Sequence, residues 1–209
     1  MPLYKNITID ERTKVLIWKI EESLAFLSES IKLTPHCQKR LDSMKSEIHQ
    51  RGFMSIRHLL ALEGYEDCDL YYDEFGKPHL KDGKYISITH SFTFTGIIIS
   101  DRPVGIDIEK QRDKILRIAH KFTPIQEYHT LANDEAKIRK LTIVWGIKES
   151  VYKVLSIPGL RFLEHIYVED FDFDAGSTAA SVSHLAQGTY EAAFLEFEGF
   201  TCAYILPSM

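Results

Sequence analysis

Two stretches of the chain carry most of its chemical information: Gly105-Ile106-Asp107-Ile108-Glu109 and Trp145-Gly146-Ile147-Lys148-Glu149-Ser150-Val151-Tyr152-Lys153. In the first stretch, apolar residues alternate with Asp107 and Glu109, which predicts a β-strand with both acids on one face. Like charges about 7 Å apart along a strand repel each other unless water screens them or a cation lies between them. Carboxylate oxygens favour a hard ion such as Mg²⁺.

The alternative to a metal site is that both acids form the solvated face of an edge strand. Gly105 lies on the same face and is expected to leave room for a substrate.

The second stretch lies in a segment, Asp134–Leu155, that contains no proline and spaces its apolar residues as a helix does. Glu149 and Lys153 are four residues apart and therefore share a helix face. Such pairs are common on helix surfaces, where each stabilises the helix by roughly 0.2–0.5 kcal/mol. The pair by itself therefore does not indicate a function. Together, the acidic strand and this helix predict a metal site for a phosphate ester.

The composition is that of an ordinary globular protein, with 44% hydrophobic and 26% charged residues. Cys37, Cys68 and Cys202 show no spacing typical of a zinc site or a disulfide framework, which favours the cytoplasm. The N-terminus lacks an apolar signal region, and the longest apolar runs are too short to span a bilayer. A net charge of −5 argues against a broad nucleic-acid surface. We therefore expect no membrane and no nucleic-acid partner.

In order and separation, the two stretches resemble the signature of the 4′-phosphopantetheinyl transferases, G-[IV]-D-[IVL]-E followed by W-x-x-K-E-[AS]-x-x-K. Every fixed position is present, and the spacing is similar to that of the surfactin-synthetase-activator (Sfp-like) group. The resemblance runs from about residue 75 to residue 170. Four further segments carry it: Phe75-Gly76-Lys77-Pro78, Ile86-Ser87-Ile88-Thr89-His90-Ser91, Phe122-Thr123-Pro124-Ile125-Gln126-Glu127-Tyr128, and Pro158-Gly159-Leu160 with Phe162.

The resemblance implies an α+β fold of two pseudo-symmetric lobes, each a small, mainly antiparallel sheet packed with helices. It places the active site in the cleft between the lobes. We assign residues 1–103 to an N-terminal lobe on the coenzyme A-binding side and residues 104–209 to a C-terminal lobe with the metal and signature motifs. Patterning predicts strands at residues 15–20, 70–73, 85–89, 95–100, 104–109, 166–171, 189–197 and 200–206. It predicts helices at residues 21–28, 35–62 with a break at Gly52, 114–121, 125–131 and Asp134–Leu155.

The family implies roles for the residues of both signature stretches. Asp107, Glu109 and Glu149 resemble its magnesium ligands, and Lys153 resembles the lysine that meets the phosphate near the scissile bond. Lys148 is a further candidate for contact with coenzyme A. Glu149 is the first candidate for the base that takes the proton from the acceptor serine. Glu127 is the other candidate, or a further group near the metal.

The remaining coenzyme A contacts are expected in the first lobe. Lys77 and Pro78 resemble residues that border the adenine; the alternative is a simple turn. His90 resembles the family histidine that donates to the phosphates, and Thr89 replaces the usual serine beside it. Phe92 stands where the family often has glycine, which leaves the local backbone path open.

The 3′-phosphate of coenzyme A needs basic residues from the first lobe, where the resemblance is loose. From Lys39, Arg40, Lys45, Arg51 and Arg57, we favour Arg51 with Arg57 behind it.

A basic segment directly follows the acidic strand. Apolar Ile115, Leu116, Ile118 and Ala119 alternate with its charges. Carrier proteins in this family's reactions present an acidic helix, so the segment predicts a docking surface; the alternative is an ordinary solvated helix face. Its basic residues are Lys110, Arg112, Lys114, Arg117 and Lys121.

The resemblance implies a holo-[acyl-carrier-protein] synthase type transferase, a monomer that uses Mg²⁺ and coenzyme A. It would move the 4′-phosphopantetheine group to a serine of an apo acyl or peptidyl carrier protein and release 3′,5′-ADP. Which carrier protein it serves is left open. One alternative is a non-catalytic relative that binds coenzyme A or a carrier protein. Another is a different magnesium-dependent phosphoester enzyme.

Overall fold

The computed structural model of the chain describes residues 3–183 and 187–208. The chain divides into two compact units between Asp101 and Arg102. Each unit contains one main antiparallel sheet together with helices, which confirms the predicted α+β class. Where the active site lies with respect to the two units stays a prediction.

The first unit contains a four-stranded sheet in the order β1-β2-β6-β5 and a separate two-stranded hairpin, β3-β4. All of its strand pairs are antiparallel. Its elements are β1 (Leu3–Asp10), β2 (Thr13–Lys19), α1 (Leu24–Ser28), α2 (Pro35–Ser43), α3 (Glu47–Leu62), β3 (Leu70–Tyr72), β4 (Pro78–Leu80), β5 (Tyr85–Ser91) and β6 (Phe94–Ser100). Patterning did not predict β1 or β4.

Helix α3 and the sheet form the core of the first unit. Met54 and Leu59 of α3 are fully buried in one cluster with Leu16 of β2 and Ile97 of β6. This burial fixes the helix on the sheet, since each such side chain stabilises the fold by roughly 1.5–3 kcal/mol relative to an exposed one.

The predicted helix over residues 35–62 is two helices, and the break expected at Gly52 is wrong. The chain leaves the helical conformation at Met44 and re-enters it after Ser46, both of which have extended backbones. Gly52 lies inside α3, where an added Cβ would be 3.7 Å from Thr95 Cγ2 and 3.9 Å from His90 Cδ2. The cost of glycine in a helix, about 1 kcal/mol, is therefore outweighed by the packing of α3 on the sheet.

The second unit contains a five-stranded sheet in the order β7-β11-β10-β9-β8, again antiparallel throughout. Its elements are β7 (Gly105–Lys110), α4 (Lys114–Ile118), α5 (Asp134–Leu155), α6 (Phe162–His165), β8 (Ile166–Val168), β9 (Ser177–Val182), β10 (Gly188–Phe197) and β11 (Phe200–Pro207). The bounds predicted for α5 are confirmed. Patterning did not predict β9 or α6, and the helix predicted over residues 125–131 is one 3₁₀ turn at Ile125–Glu127.

Local signals and packing together fix α5. The Asn133 side chain accepts a hydrogen bond from the backbone N–H of Ala136, and Ser156 ends the helix in a left-handed conformation with φ of 49°. Leu141 and Ile147 are fully buried in one cluster with Phe194 and Ile205 of the sheet. In the described part of the chain, none of the helices combines the length and apolar character needed to cross a membrane.

Candidate active site

Strand β7 positions the two acids that the sequence placed on one face. It is an edge strand, and Asp107 and Glu109 pair with Ala203 and Thr201 of β11. The solvated-face alternative is nevertheless wrong for Asp107, whose relative exposure is only 7%. Helix α5 contacts β7, and its Lys153 reaches the Asp107 side chain.

Two glycines allow this close approach of helix and sheet. A Cβ added to Gly105 would lie 2.0 Å from the carbonyl oxygen of Ser150, and one added to Gly146 would lie 3.1 Å from the Cβ of Ala203. The Ser150 hydroxyl is buried 2.7 Å from Gly146 O and 3.1 Å from Ala203 O. The expectation that Gly105 leaves room for a substrate is therefore wrong, because the backbone of α5 fills that space.

Lys153, the last residue of the second signature stretch, forms hydrogen bonds with residues of the first stretch. Its Nζ donates to the carbonyl oxygen of Ile106 at 2.7 Å and to Asp107 Oδ1 at 2.8 Å. The lysine side chain is partly exposed, whereas the aspartate side chain is almost fully buried. The cation thus offsets a buried negative charge.

Glu149 and Glu109 lie in the field of the same aspartate. Burial, followed by the charge of Asp107, raises the pKa of Glu149 to about 7, while Lys153 partly offsets the rise. Burial and Asp107 also raise the pKa of Glu109, against the opposing effects of Arg112, Lys153 and a hydrogen bond from Trp145. The three predicted acids therefore form one electrostatically coupled cluster, in which full ionisation is unfavourable without added positive charge.

The chemistry of this cluster fits a hard divalent cation, because all three groups are carboxylates and the charge of Asp107 acts on the other two. Its arrangement is not that of a formed metal site. Across residues 3–183 and 187–208, no three His, Cys, Asp or Glu side chains are grouped as they would be around a metal ion. Lys153 supplies positive charge at Asp107 instead. The magnesium ligands therefore stay a prediction.

Lys148 has a different environment from Lys153. Only 1% of it is exposed, and its Nζ donates to the carbonyl oxygens of Phe122, at 2.5 Å, and Phe162, at 3.0 Å. Burial lowers its pKa to about 8, against the opposing charge of Glu127. Lys148 therefore joins the segments on either side of α5. This interior position does not support the predicted contact with coenzyme A.

Glu127 lies in the segment that Lys148 holds. It is half-buried and accepts a hydrogen bond from the Thr123 hydroxyl. Its charge acts on Lys148, whereas the shifts of Glu109 and Glu149 arise from other groups. Glu127 is thus coupled to Lys148 rather than to the acid cluster.

A cavity of about 350 Å³ in the first unit contains the other group of predicted residues. His90 and Thr89 of β5 line it, together with Arg40 of α2 and His49 of α3. The described residues that line this cavity include no Asp or Glu. In a chain with a net charge of −5, such a lining is suited to an anionic ligand.

The turn after His90 defines the backbone path at Phe92, where the family often has glycine. Ser91 pairs with Phe94, so Phe92 and Thr93 form a two-residue hairpin turn between β5 and β6. Phe92 has a φ of 51°, a left-handed conformation that glycine adopts readily and other residues adopt at a cost of about 1–2 kcal/mol. The chain thus follows a glycine-like path despite the phenylalanine.

Lys77 and Pro78 lie at the end of the turn between β3 and β4. The Asp73 carboxylate accepts hydrogen bonds from the backbone N–H groups of Phe75, at 3.0 Å, and Lys77, at 2.9 Å. Burial lowers the pKa of Lys77, with Asp73 opposing the shift. These contacts account for an ordered turn, and the adenine contact stays a prediction.

The two arginines favoured for the 3′-phosphate make internal contacts. Arg57 is 3% exposed, donates to Asp67 Oδ1 at 2.9 Å and stacks on the Phe53 ring at 3.4 Å from its centroid. Arg51 donates to the carbonyl oxygen of Ile20 at 3.2 Å. Of the two, only Arg57 lines the cavity, and its charge is paired with Asp67. Exposed Arg40 is the better candidate, since it lines the same cavity as His90.

Comparison with known families identifies the unit that carries the acid cluster. Residues 103–205 match the family model described as the 4′-phosphopantetheinyl transferase superfamily. The second unit belongs to this superfamily. The match extends through β7 and α5 and thus contains the whole acid cluster, which confirms the resemblance on which the sequence interpretation depends.

Individual transferases of this superfamily are similar over a shorter segment. The chain is 33% identical over 85 residues to 4′-phosphopantetheinyl transferase gsp of Aneurinibacillus migulanus, covering 40% of this chain and 36% of that protein. It is 34% identical over 84 residues to 4′-phosphopantetheinyl transferase Sfp of Bacillus subtilis strain 168, covering 38% of each. The aligned segment thus spans less than two fifths of these transferases.

The family resemblance marks the acid cluster, but in the cavity of the first unit it marks only the β5 residues Thr89 and His90. His49 and Tyr72 line that cavity with His90, although they belong to a different helix and a different strand. No local pattern marks either residue, because the packing of α3 and the β3-β4 hairpin brings them together. Arg40 was among the available basic residues, and only this packing distinguishes it from Arg51.

Proposed function

We propose that this chain catalyses the Mg²⁺-dependent transfer of 4′-phosphopantetheine from coenzyme A to a serine of an apo carrier protein, of the holo-[acyl-carrier-protein] synthase type. The observation that carries the proposal is the coupled cluster of Asp107, Glu109 and Glu149 with Lys153, on a unit of the phosphopantetheinyl transferase superfamily. The negative charge of a pyrophosphate at this cluster would be offset by a divalent cation and by a lysine; the three carboxylates could hold the cation, and Lys153 is the lysine.

Asp107, Glu109 and Glu149 would hold the magnesium ion. When bound, the ion supplies positive charge that offsets the charge of the pyrophosphate. Binding it there would also relieve the repulsion that raises the pKa of Glu149. Lys153 would then turn from Asp107 to a phosphate oxygen.

In the proposed reaction, the serine hydroxyl oxygen attacks the phosphorus on the pantetheine side of the pyrophosphate. A bond forms between these two atoms, and the bond from that phosphorus to the bridging oxygen breaks. The electron pair stays on the bridging oxygen, so 3′,5′-ADP leaves. Lys153 stabilises the negative charge that develops on this leaving group.

The serine proton goes to a carboxylate, and we propose Glu149 for this role. With Mg²⁺ bound, the pKa of Glu149 would be low again, so Glu149 would be a weak base that depends on its position and on metal-bound water. Glu127 remains the alternative. Its coupling to Lys148 rather than to the acid cluster makes it the weaker candidate.

We place the phosphates of coenzyme A by the basic cavity of the first unit. His90 and Arg40 supply donors there, and Thr89 is buried in the adjoining strand. Lys77 and Pro78 are retained as adenine contacts. Arg51 is a further candidate: its Nε is buried and, within the described residues, has no acceptor in hydrogen-bonding reach.

The carrier protein is proposed to dock on the basic segment after β7. The apolar residues Ile115, Leu116 and Ile118 pack against the core of the second unit. The charged residues of the segment remain exposed, a division that suits an acidic helix of a partner. These exposed residues are Lys110, Arg112, Lys114, Arg117 and Lys121. We further propose that the protein acts as a monomer in the cytoplasm, where its three free cysteines would stay reduced.

The test is to incubate the protein with Mg²⁺, coenzyme A and a panel of apo carrier proteins and to measure carrier masses. At least one carrier should gain the mass of the phosphopantetheine arm. The gain should disappear with EDTA, with a serine-to-alanine carrier and with Asp107→Ala. Glu135→Ala, which removes an exposed acid of α5, is the matched control and should transfer normally. Absence of product across a broad panel, with folded protein, would contradict the proposal.

The transfer assay, combined with calorimetric binding of coenzyme A, separates the transferase from a binding relative. The ion pair between Lys153 and Asp107 is the observation that favours this second candidate, because it occupies a predicted metal ligand. Coenzyme A binding in calorimetry without product under any condition would support it. Cleavage of coenzyme A without a protein acceptor would support a different phosphoester enzyme.

A further inference from the structure

We propose that Glu196 is a positioning residue for recognition of the acceptor protein, and that it acts through Gln111 at the start of the basic segment. The inference rests on the proposed function, since the acceptor is the apo carrier protein of that reaction. Glu196 lies in β10, and Gln111 directly follows β7. The two residues are 85 positions apart in the sequence, and neither belongs to the motifs that carry the family resemblance.

The Glu196 carboxylate joins three parts of the second unit, namely β10, α5 and the segment after β7. Its Oε1 accepts a hydrogen bond from Gln111 Nε2 at 2.5 Å. Arg139 of α5 donates to Oε1 through Nε, at 3.0 Å, and to Oε2 through Nη2, at 2.6 Å. Two such bonds between a guanidinium and a carboxylate fix the orientation of both groups. Glu196 is therefore an oriented anchor for the Gln111 side chain.

Gln111 has two further contacts with the sheet. Its side-chain amide also donates to the Thr201 hydroxyl of β11 at 3.0 Å, and its backbone N–H donates to the carbonyl oxygen of Gly199 at 2.9 Å. The other end of the basic segment is held by Lys148, which donates to the carbonyl oxygen of Phe122. The segment is thus fixed at both ends, and Glu196 contributes to the first of these attachments.

The position of the basic segment matters because the segment lies beside the acid cluster. Arg112, the residue after Gln111, lines a cavity of about 150 Å³ together with Glu109 and Ile115. The charge of Arg112 also opposes the rise in the pKa of Glu109, so the two side chains interact. A segment that is ordered before the acceptor arrives binds it more tightly, because less ordering is required on binding. Loss of the Glu196 anchor should therefore weaken acceptor binding.

The test measures transfer kinetics with an apo carrier protein for the wild type and Glu196→Gln. The KM for the carrier should rise about five- to ten-fold in the variant, whereas kcat and the KM for coenzyme A should change less than about two-fold. Overall electrostatics predicts the opposite sign, because removal of a negative charge should favour an acidic partner. Glu191→Gln is the matched control, since it removes an exposed acid of the same strand and should behave as the wild type.

Exchanging the two side chains tests whether Glu196 acts through Gln111. Gln111→Glu alone brings two carboxylates together and should raise the KM for the carrier. Combining it with Glu196→Gln restores a donor opposite an acceptor at the net charge of the wild type, and should recover most of the wild-type KM. Hydrogen exchange gives a readout that needs no transfer: in Glu196→Gln, amides of residues 111–118 should exchange about five-fold faster, while those of β8 do not change.

An active wild type together with an unchanged or lower carrier KM in Glu196→Gln would overturn the inference and leave the proposed function standing. Faster exchange throughout the second unit, or failure of the exchanged pair to recover the KM, would also overturn it. If the wild type modifies no carrier, the proposed function fails, and calorimetric binding of the apo carrier decides the inference. Weaker binding by Glu196→Gln than by the wild type would support it, and equal binding or none would overturn it.

Discussion

Lys153 donates a hydrogen bond of 2.8 Å to Asp107 Oδ1, so a residue near the end of α5 neutralises an acid in the middle of β7. A divalent cation at Asp107 would compete with this lysine. We therefore expect Lys153→Ala to bind Mg²⁺ more tightly than the wild type, since a cation that repels the metal is removed. Transfer should nevertheless fall about 100-fold, because the leaving group loses its partner.

Calorimetric Mg²⁺ titration and a transfer assay measure these two opposite effects. Lys137→Ala is the control, as Lys137 pairs with Asp134 near the start of α5. It should change neither quantity. A loss of both metal binding and transfer in Lys153→Ala would contradict this account of the pair.

Glu149 should make the stability of the metal-free protein depend on pH. Its pKa is about 7 in the folded protein against an ordinary value of 4.5, so the folded state binds this proton more tightly than the unfolded state does. Its contribution is therefore fully present below about pH 4.5 and is lost as the pH rises through 7. In urea unfolding, Glu149→Gln should be less sensitive to pH than the wild type between pH 5 and pH 8. Glu135→Gln should behave as the wild type, and an equal pH dependence in all three proteins would refute the shift.

Gly105 should tolerate no side chain. An added Cβ would lie 2.0 Å from the Ser150 carbonyl oxygen, so α5 must move away from β7 or the strand must shift. Overpacking of this kind costs roughly 1–3 kcal/mol and would displace Asp107 from Lys153. Gly105→Ala should therefore lower both the free energy of unfolding and the transfer rate. Gly188→Ala is the control, because its Cβ would be 3.6 Å from the nearest atom, an ordinary contact.

At position 92, glycine should give a more stable protein than alanine does. Both substitutions remove the ring, but only glycine relieves the strain of a φ of 51°. We expect Phe92→Gly to be more stable than Phe92→Ala by about 1 kcal/mol in chemical denaturation. Equal stability of the two variants would show that the turn relaxes to another conformation.

Asp67 should be essential to the first unit. Burial alone would raise its pKa, but hydrogen bonds from the Thr34 backbone, Arg57 and the Thr34 hydroxyl outweigh this effect and lower it. Asp67→Asn leaves Arg57 buried without a counter-charge and should cost roughly 3–5 kcal/mol. Because the pKa is lowered, the contribution of Asp67 is present above pH 4 and lost as the pH falls further. Denaturation at pH 7 and pH 3 tests both points, with exposed Asp42→Asn as a control that should change neither.

The sequence predicted the acid cluster because its members lie in two short stretches with regular periodicity. Alternation in β7 and the apolar stripe of α5 are local signals, so both elements follow from them. That Glu149 joins Asp107 and Glu109 was implied by the family resemblance rather than by these patterns. The first unit is different. Arg57 and Arg40 are equally basic in the sequence, and both border the cavity. Only the position of Asp67 shows that the charge of Arg57 is paired inside the protein.

Glycines limited the interpretation in a similar way. Gly52 looked like a helix break and Gly105 looked like space for a substrate, but both are sites of close packing between a helix and a sheet. A glycine shows that a side chain is absent, and the sequence does not show what occupies the space. That depends on contacts between residues far apart in the chain, such as Gly105 with Ser150.

The two hydrogen bonds from the Lys148 ammonium have a consequence for how such a protein can diversify. The segment between β7 and α5 is attached to the helix at Phe122, while the acids are fixed independently by strand and helix backbone. We expect the exposed residues before and after Phe122 to tolerate substitution without moving the carboxylates, since the apolar residues of the segment hold it on the core. Under the proposed function, recognition of the carrier protein and the groups that react would thereby belong to separate parts of one short region of the chain.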